Sequence, residues 1–315
     1  MTKILKILYS NTYISGHKIG ELLGISKVAV CKQIKNLKQL GYNIESCTKG
    51  YKLIQDKKLF NEFEIESKLN KNLNVCKIIK YYKELPSTQT TVKMLAQKAF
   101  DEGTVVIVEK QTDGYGRIKR VWSSNPGGLW FSILLKPFLV PEESTKLALI
   151  LSIALKYTFD LYNIDSKIKW PNDIFINNKK IAGIIIEMSA EQDIINWIVA
   201  GIGININNEL PKELKDIATS LKEIINKEID RTEFICKFFI NFEKLYTPFK
   251  EKGLKPFLKE YNANLLYKNK HVTISNGHNT ITGISLGIDE NGILMVKTKD
   301  NVEKIISGTL RETQK

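Results

Sequence analysis

The sequence predicts an α+β chain in three consecutive parts, and three observations carry that reading. Residues 1–60 place apolar positions at helical spacing and end in two short strand-like runs. From 81 to 265, apolar strand runs alternate with long helical patterns, the mark of a mixed sheet covered by helices. From 266 to 315 only short strand runs follow, at near-regular spacing, which reads as a small β-barrel. Residues 61–80 carry no clear motif and read as a linker.

The first part resolves into helix, helix, turn, helix and hairpin. Ile4, Leu5, Ile7 and Leu8 share one face of a helix over Thr2 to Tyr9, and Ile19, Leu22 and Leu23 repeat the pattern. Gly24 supplies a turn, and Ser26 suits the N-cap of a third helix. On that helix Val30, Ile34 and Leu37 fall on one face, and Gly41 stops it. Two strands, Tyr42 to Cys47 and Tyr51 to Ile54, flank Thr48-Lys49-Gly50. This is the pattern of a winged helix-turn-helix. Ser26, Lys27, Lys32, Gln33, Lys35 and Asn36 would face DNA, with Lys49 on the wing.

Charge supports this reading. The 315-residue chain carries +13 overall, and residues 1–60 hold eleven lysines against Glu21, Glu45 and Asp56, a net +8. An excess confined to one segment favours a nucleic-acid partner over mere solubility. A small helical dimerisation domain with solvated lysines is the competing reading.

In the central part, helices are expected over Thr90 to Ala99, Thr145 to Tyr162, Phe234 to Tyr246 and Leu254 to Tyr261. Strands are expected at Val105 to Val108, Leu129 to Leu135, Ile181 to Met188 and Ile194 to Ile206. In the last part they are expected at Val272 to Ile274, Ile281 to Leu286, Ile293 to Val296 and Val302 to Ile306. Asn276-Gly277 and Asn291-Gly292 read as hairpin turns between them.

Composition is that of a globular protein, with 43% hydrophobic and 26% charged residues. The apolar run Leu147 to Leu155 is too short to span a bilayer. The opening residues lack the apolar stretch of a signal peptide. Cys31, Cys47, Cys76 and Cys236 are scattered without metal-ligand spacing, as expected of reduced thiols in a cytoplasmic protein. His17, His271 and His278 form no metal motif and sit in polar surroundings.

Three stretches carry chemistry. Gln111-Thr112-Asp113-Gly114-Tyr115-Gly116-Arg117, running on to Arg120 and Trp122, follows a strand directly. Its glycines allow backbone amides to approach an anion, and its arginines add positive charge. It lacks the Gly-Lys-Ser/Thr ending of a phosphate-binding P-loop. Lys169-Trp170-Pro171-Asn172-Asp173 gathers a cation, a ring and polar side chains, and Asp173 could hold Mg²⁺ near phosphates. Lys180, entering the apolar strand that runs through Gly183, is either a snorkelling edge residue or a charge aimed into a pocket.

Together these stretches resemble the biotin–protein ligases. Ser87-Thr88-Gln89, the G-Y-G-R loop, K-W-P-N-D, K-x-A-G-I and Gly201-Ile202-Gly203-Ile204-Asn205 occur in the family's order. Ala218-Thr219-Ser220-Leu221 fits the segment that closes over the adenylate, and Gly287 to Gly292 with Ser307-Gly308 suits the family's SH3-like barrel. With the winged helix, nearly the whole chain resembles the bifunctional biotin operon repressor type. Three positions depart: Gln89 stands for the usual Asn, Tyr115 for Arg, and Lys119 for a third glycine.

The resemblance implies a two-step ligase using ATP and Mg²⁺. Ser87, Thr88, Gln89 and Gln111 would contact biotin. Gly114, Tyr115, Gly116, Arg117, Arg120 and Trp122 would fold over biotin and its adenylate, with Lys169, Asn172, Gly183 and Asn205 around them. Lys180 and Arg117 would be the catalytic cations. A biotin carboxyl carrier protein would be the acceptor, operator DNA the other partner, and the adenylate-bound chain a homodimer. A lipoate ligase and a repressor without catalysis are the alternatives. The winged helix and G-x-G-R loop speak against the first, Lys180 and Arg117 against the second.

Overall fold

The computed structural model describes residues 2–9, 12–39, 41–54, 59–69, 73–275 and 279–313. It divides into two compact units, Met1–Ser67 and Lys68–Lys315.

The first unit holds α1 (Thr2–Leu8), α2 (Gly16–Leu23), α3 (Lys27–Gln39), β1 (Ile44–Cys47), β2 (Gly50–Leu53) and α4 (Glu62–Lys68). Ser15 caps α2 by accepting from the Lys18 amide at 3.1 Å. Ser26 caps α3 by accepting from the Ala29 amide at 3.2 Å, so the two N-termini are set by hydroxyls that satisfy orphan donors. Ile4, Leu8, Ile19, Val30, Ile34 and Leu37 meet in the core. Leu22 is instead 58% exposed, because Ile19 already supplies the core contact on that turn.

The stretch 61–80, expected to serve in part as a linker, contains α4 and the start of β3, and the boundary between the two units falls within it, after Ser67. Asn61 Oδ1 accepts from Tyr42 Oη at 3.2 Å and from the Glu64 amide at 3.1 Å, which starts α4. Leu59 and Phe63 pack on the first unit's core, and Tyr9 Oη donates to Glu64 at 2.7 Å. The motif was hard to see because α4 buries one residue fully, Ile65.

The wing turns at Thr48-Lys49, and Gly50 opens β2 with φ +122°, where a Cβ would lie 2.2 Å from the Ile14 carbonyl oxygen. That approach lets Ile14 and Tyr51 exchange both backbone hydrogen bonds, at 3.0 and 2.9 Å.

The second unit is built on a seven-stranded mixed sheet, ordered β3-β4-β5-β9-β8-β7-β6. Its elements are β3 (Ile78–Leu85), α5 (Thr88–Gln97), β4 (Thr104–Gln111), β5 (Leu129–Leu135), α6 (Lys146–Asp160), β6 (Lys167–Lys169), β7 (Asp173–Ile176), β8 (Lys179–Glu191), β9 (Ile194–Ile204), α7 (Leu221–Ile225), α8 (Arg231–Lys252) and α9 (Leu258–Ala263). Only β3 and β4 run parallel, joined by α5. Alternation along β5 sends Ser132 towards α5 and Phe131 against Phe238 and Phe239 of α8, at ring separations of 5.5 and 5.8 Å. Expected strands and helices recur within a few residues. β3, β6 and β7 were missed: β3 is a half-exposed edge strand broken by lysines, and β6 is three residues long.

A five-stranded antiparallel sheet follows, ordered β13-β12-β11-β10-β14, from β10 (His271–Ser275), β11 (Thr280–Ile288), β12 (Leu294–Lys297), β13 (Val302–Ile305) and β14 (Thr309–Glu312). β14 was not expected. The Asn291-Gly292 turn is present, with Gly292 at φ +77° and Asp289 Oδ1 accepting from the Asn291 and Ile293 amides. The Asn276-Gly277 turn lies outside the described residues, as does His278. His17 and His271 are exposed, Cys31 and Cys47 are exposed free thiols, and Cys76 and Cys236 are buried free thiols.

Trp170, between β6 and β7, and Asn262, on α9, both tie down the small sheet. Trp170 Nε1 donates to the Gly292 carbonyl at 3.0 Å, and the Asn262 side chain both donates to and accepts from the Ile288 backbone.

The Gly50→Ala variant should lose about 2 kcal/mol or more of stability in the first unit, through strain and steric overlap. Urea unfolding followed by circular dichroism measures it, and an unfolding curve matching that of the parent would contradict this account of the turn.

Candidate active site

One cleft of about 760 Å³ opens in the second unit, a size suited to a small ligand and cofactor. Its walls come from the end of β4, the start of α5, the 111–123 loop, the strands β6 to β9 and the small sheet.

The first group of lining side chains is neutral and polar. Gln111 Oε1 accepts from the Thr88 amide at 2.9 Å and from Thr88 Oγ1 at 3.2 Å, while Gln111 Nε2 donates to Ser124 Oγ at 2.8 Å. Thr88 Oγ1 and Ser132 Oγ lie 2.8 Å apart. Ser132 also donates to Gln89 Oε1 at 3.0 Å, and Gln89 Nε2 donates to the Val199 carbonyl at 3.0 Å. Ser87 stands at the N-cap of α5 yet makes no side-chain cap bond, and it lines the cleft. A Cβ at Gly201 would lie 2.5 Å from Gln89 Oε1, and one at Gly203 would lie 2.5 Å from Trp122 Nε1. Small residues on β9 thus give these larger groups their space.

The second group is cationic. Lys180 Nζ sits 2.7 Å from Asp173 Oδ1 and 5.0 Å from the Trp122 ring centroid, so it points into the pocket rather than snorkelling outward. Arg117 Nη1 donates to Asn172 Oδ1 at 3.3 Å, and Asn172 Nδ2 holds the Ile184 carbonyl at 2.6 Å. Lys169 lies 4.7 Å from the Phe175 ring centroid. Arg120 and Arg311 complete the set. Burial disfavours the charged form of Lys169, and Lys180 and Arg311 push the same way against the attraction of Asp173. Burial likewise disfavours charge on Arg117, with Asp173 opposing and Arg120 adding repulsion. Among the described residues, Asp173 is the one carboxylate on the wall. Such a pocket favours an anion.

Every site residue expected in the second unit lines this cleft except Gly114. Gly114 is buried behind it, where a Cβ would lie 2.6 Å from the Trp122 carbonyl oxygen. The Gly116 amide donates to the Arg120 carbonyl at 2.8 Å. Gly116 therefore shapes the loop rather than offering a free amide, and the Gly114 carbonyl accepts from the Trp122 amide at 2.8 Å. Lys119 stands at φ +53° and Ile118 at φ +55°. A glycine at 119 would take that conformation without strain.

Ser132 and Arg311 were missed. Ser132 is the lone polar residue of an apolar strand, a signal that was available. Arg311 lies on β14, which had no recognised pattern. Asn205 is buried and receives a hydrogen bond from Asn208 at 3.0 Å.

In the first unit, Ser26, Lys27, Lys32, Lys35 and Lys49 are exposed, and Gln33 and Asn36 are half-buried. The six expected positions on α3 and its cap leave its core face to Val30, Ile34 and Leu37.

Comparison with known proteins places this geometry. The profile of the biotin/lipoate A/B protein ligase family matches residues 81–205, that of a helix-turn-helix domain residues 1–52, and that of the biotin protein ligase C-terminal domain residues 268–309. The bifunctional ligase/repressor BirA of Bacillus subtilis is 38% identical over 306 residues, covering 95% of this chain and 94% of its own. The chain belongs to the biotin–protein ligase family.

Its bifunctional branch includes the BirA of Escherichia coli, 27% identical over 99% of this chain and 98% of its own. Among solved structures, the ligase from Aquifex aeolicus in complex with biotin and ATP superposes with a TM-score of 0.68 at 34% identity, covering 75% of this chain and all of that one. The family fold, an N-terminal helix-turn-helix, a ligase-type sheet with helices and a C-terminal antiparallel sheet, is the one observed. No helix among the described residues is long and apolar enough to cross a membrane.

Ser132→Ala would leave Thr88 and Gln89 each short of a buried partner. The second unit should lose about 1–3 kcal/mol, measured by denaturant unfolding; no loss would show that these side chains repartner.

Proposed function

We propose that this chain is a biotin–protein ligase and a biotin-dependent transcriptional repressor. The observation that carries the reading is the pairing of two groups in one cleft. The amides and hydroxyls of Thr88, Gln89, Gln111 and Ser132 suit the ureido ring of biotin, which both donates and accepts hydrogen bonds. The cations Lys180, Arg117, Lys169, Arg120 and Arg311 suit a carboxylate meeting a triphosphate.

The reaction runs in two steps. A biotin carboxylate oxygen attacks the α-phosphorus of MgATP, forming biotinyl-5′-adenylate and expelling pyrophosphate. A carrier lysine then attacks the mixed anhydride at its carbonyl carbon, and AMP leaves. Two anions repel each other at the crowded phosphorus, and Lys180 and Arg117 lower that barrier. Mg²⁺ arrives with the nucleotide as part of the substrate. Asp173 is the single wall carboxylate that could share it, and no metal-binding cluster of three His, Cys, Asp or Glu occurs among the described residues. That donor set suits a metal carried by phosphates. The loop from Gly114 to Trp122 shields the anhydride from water.

The acceptor is a lysine of a biotin carboxyl carrier protein, and the reaction belongs in the cytoplasm, a compartment that keeps the free thiols reduced. The exposed lysines of α3 and the wing contact operator DNA upstream of biotin synthesis or uptake genes. One recognition helix grips one half-site, so a homodimer grips two. Contacts between the loop and bound adenylate favour that dimer, and unbiotinylated carrier consumes the adenylate and relieves repression.

Lys180→Ala should slow pyrophosphate release with biotin and ATP by about 10²–10³-fold. A rate within a few-fold of the parent removes Lys180 from the chemistry. Lipoate in place of biotin should support no release.

Biotin plus ATP should tighten both self-association, read by sedimentation, and operator binding. Lys32→Ala or Lys35→Ala should weaken operator binding and lower its salt dependence by about one counterion if that lysine meets phosphate, with ligase activity intact. Equal operator affinity with and without biotin and ATP would refute the coupling.

A further inference from the structure

The cleft loop is fastened from behind by side chains that the two-step chemistry does not use. Tyr115 Oη donates to Glu187 Oε2 at 3.0 Å. Lys93 Nζ donates to Glu187 Oε1 at 2.6 Å and to Tyr115 Oη at 3.4 Å. Lys119 Nζ lies 4.0 Å from the Tyr115 ring centroid. The three elements involved are distinct: the loop carries Tyr115 and Lys119, α5 carries Lys93, and β8 carries Glu187. Lys93 and Glu187 are each about a quarter exposed, so the cluster is partly shielded from water. Burial opposes the charge on Glu187, but the hydrogen bonds from Lys93, Gln89 and Tyr115 outweigh it and hold the carboxyl below its usual range. The carboxylate form, which accepts from Tyr115, therefore persists at neutral pH.

The tether connects to both working groups of the cleft. Lys93 lies one helical turn beyond Gln89, which belongs to the neutral polar group. Tyr115 lies two residues before Arg117, which belongs to the cationic group. Tyr115 also bridges Val121 across the loop, so fixing its side chain fixes both limbs of the hairpin. Lys119 holds a left-handed conformation that strains a non-glycine residue, and its place over the Tyr115 ring is an interaction that offsets this cost.

We propose that Tyr115, Glu187 and Lys93 form a latch that positions the 114–122 loop over the cleft, so that retention of the reactive adenylate depends on a hydrogen-bonded triad outside the reacting atoms. The proposal rests on the ligase reading for what the loop retains, but not for the latch itself. Glu187 and Lys93 are positioning residues, acting through Tyr115 on Arg117.

Two measurements test it on the full chain. In the first, trypsin cleavage after Arg117, Lys119 and Arg120 is followed by mass spectrometry without added substrate. Tyr115→Phe should speed these cuts about tenfold, the effect expected of one lost charge-assisted hydrogen bond, and Glu187→Gln, which keeps only a neutral acceptor, should speed them by a smaller factor. Cleavage elsewhere and the thermal midpoint should stay near the parent's, which a general loss of structure would not allow. The double variant should be cut no faster than Tyr115→Phe alone, because without the Tyr115 hydroxyl the side chain at 187 has no hydrogen bond left to the loop. In the second, escape of biotinyl-5′-adenylate made from labelled biotin and ATP is timed. Escape should rise about tenfold in Tyr115→Phe and by a smaller factor in Glu187→Gln, in each case more than adenylate formation slows. Parent-like cleavage in Tyr115→Phe, or multiplicative effects in the double variant, overturns the latch. If Glu187→Gln fails to fold, Tyr115→Phe decides alone. A parent chain that forms no adenylate refutes the ligase reading, while the trypsin experiment still decides the latch.

Discussion

Repulsion among like charges is the constraint on which this cleft depends. Among the described residues, five cationic side chains share its wall with one carboxylate, and burial makes the charges of Lys169 and Arg117 costlier still. Asp173 offsets part of this through its 2.7 Å pair with Lys180. The remainder is borne by rigid placement. Lys169, Asp173 and Lys180 sit on β6, β7 and β8, neighbouring strands that cannot drift apart without breaking the sheet. A wall of this kind is arranged for negative charge before any ligand arrives, which is how electrostatic preorganisation works.

The neutral half of the cleft obeys a different economy. Thr88, Gln89, Gln111 and Ser132 satisfy one another closely, so each orientation is dictated by its neighbours. Glycines on β9 give Gln89 and Trp122 their room. Gln89 is one methylene longer than the Asn usual in the family, and the structure accommodates it by turning its amide to the Val199 carbonyl and the Ser132 hydroxyl. The departure is thus absorbed by the sheet instead of being left as an unpartnered buried amide.

Much of this was legible in the sequence where one physical rule dominated. The core face of α3 and the apolar strand β5 follow directly from periodicity, and β5 spans the residues expected. Elements governed by tertiary contacts were not legible. α4 exists because Asn61 caps it and meets Tyr42, a partner nineteen residues away. β14 is recognisable only by its pairing with β10, and with it Arg311 went unseen. Gly116 was expected to offer its amide to an anion, yet a local bond to Arg120 already uses it. Short spacing motifs reveal which residues gather, but not which of their backbone groups remain free.

The arrangement of the cleft also has a consequence in time. Arg311 is on its wall and β14 pairs with β10, whereas the first unit closes at Ser67. A chain emerging from the ribosome completes its DNA-binding unit first. At synthesis rates of about 5–20 residues per second, the residues needed to finish the cleft follow ~10–50 s later. During that interval a nascent chain can fold the lysine-bearing helix but cannot enclose a nucleotide. The order of translation therefore separates the two units of the molecule, and the one that senses the small molecule is born after the one that carries the lysine-bearing helix.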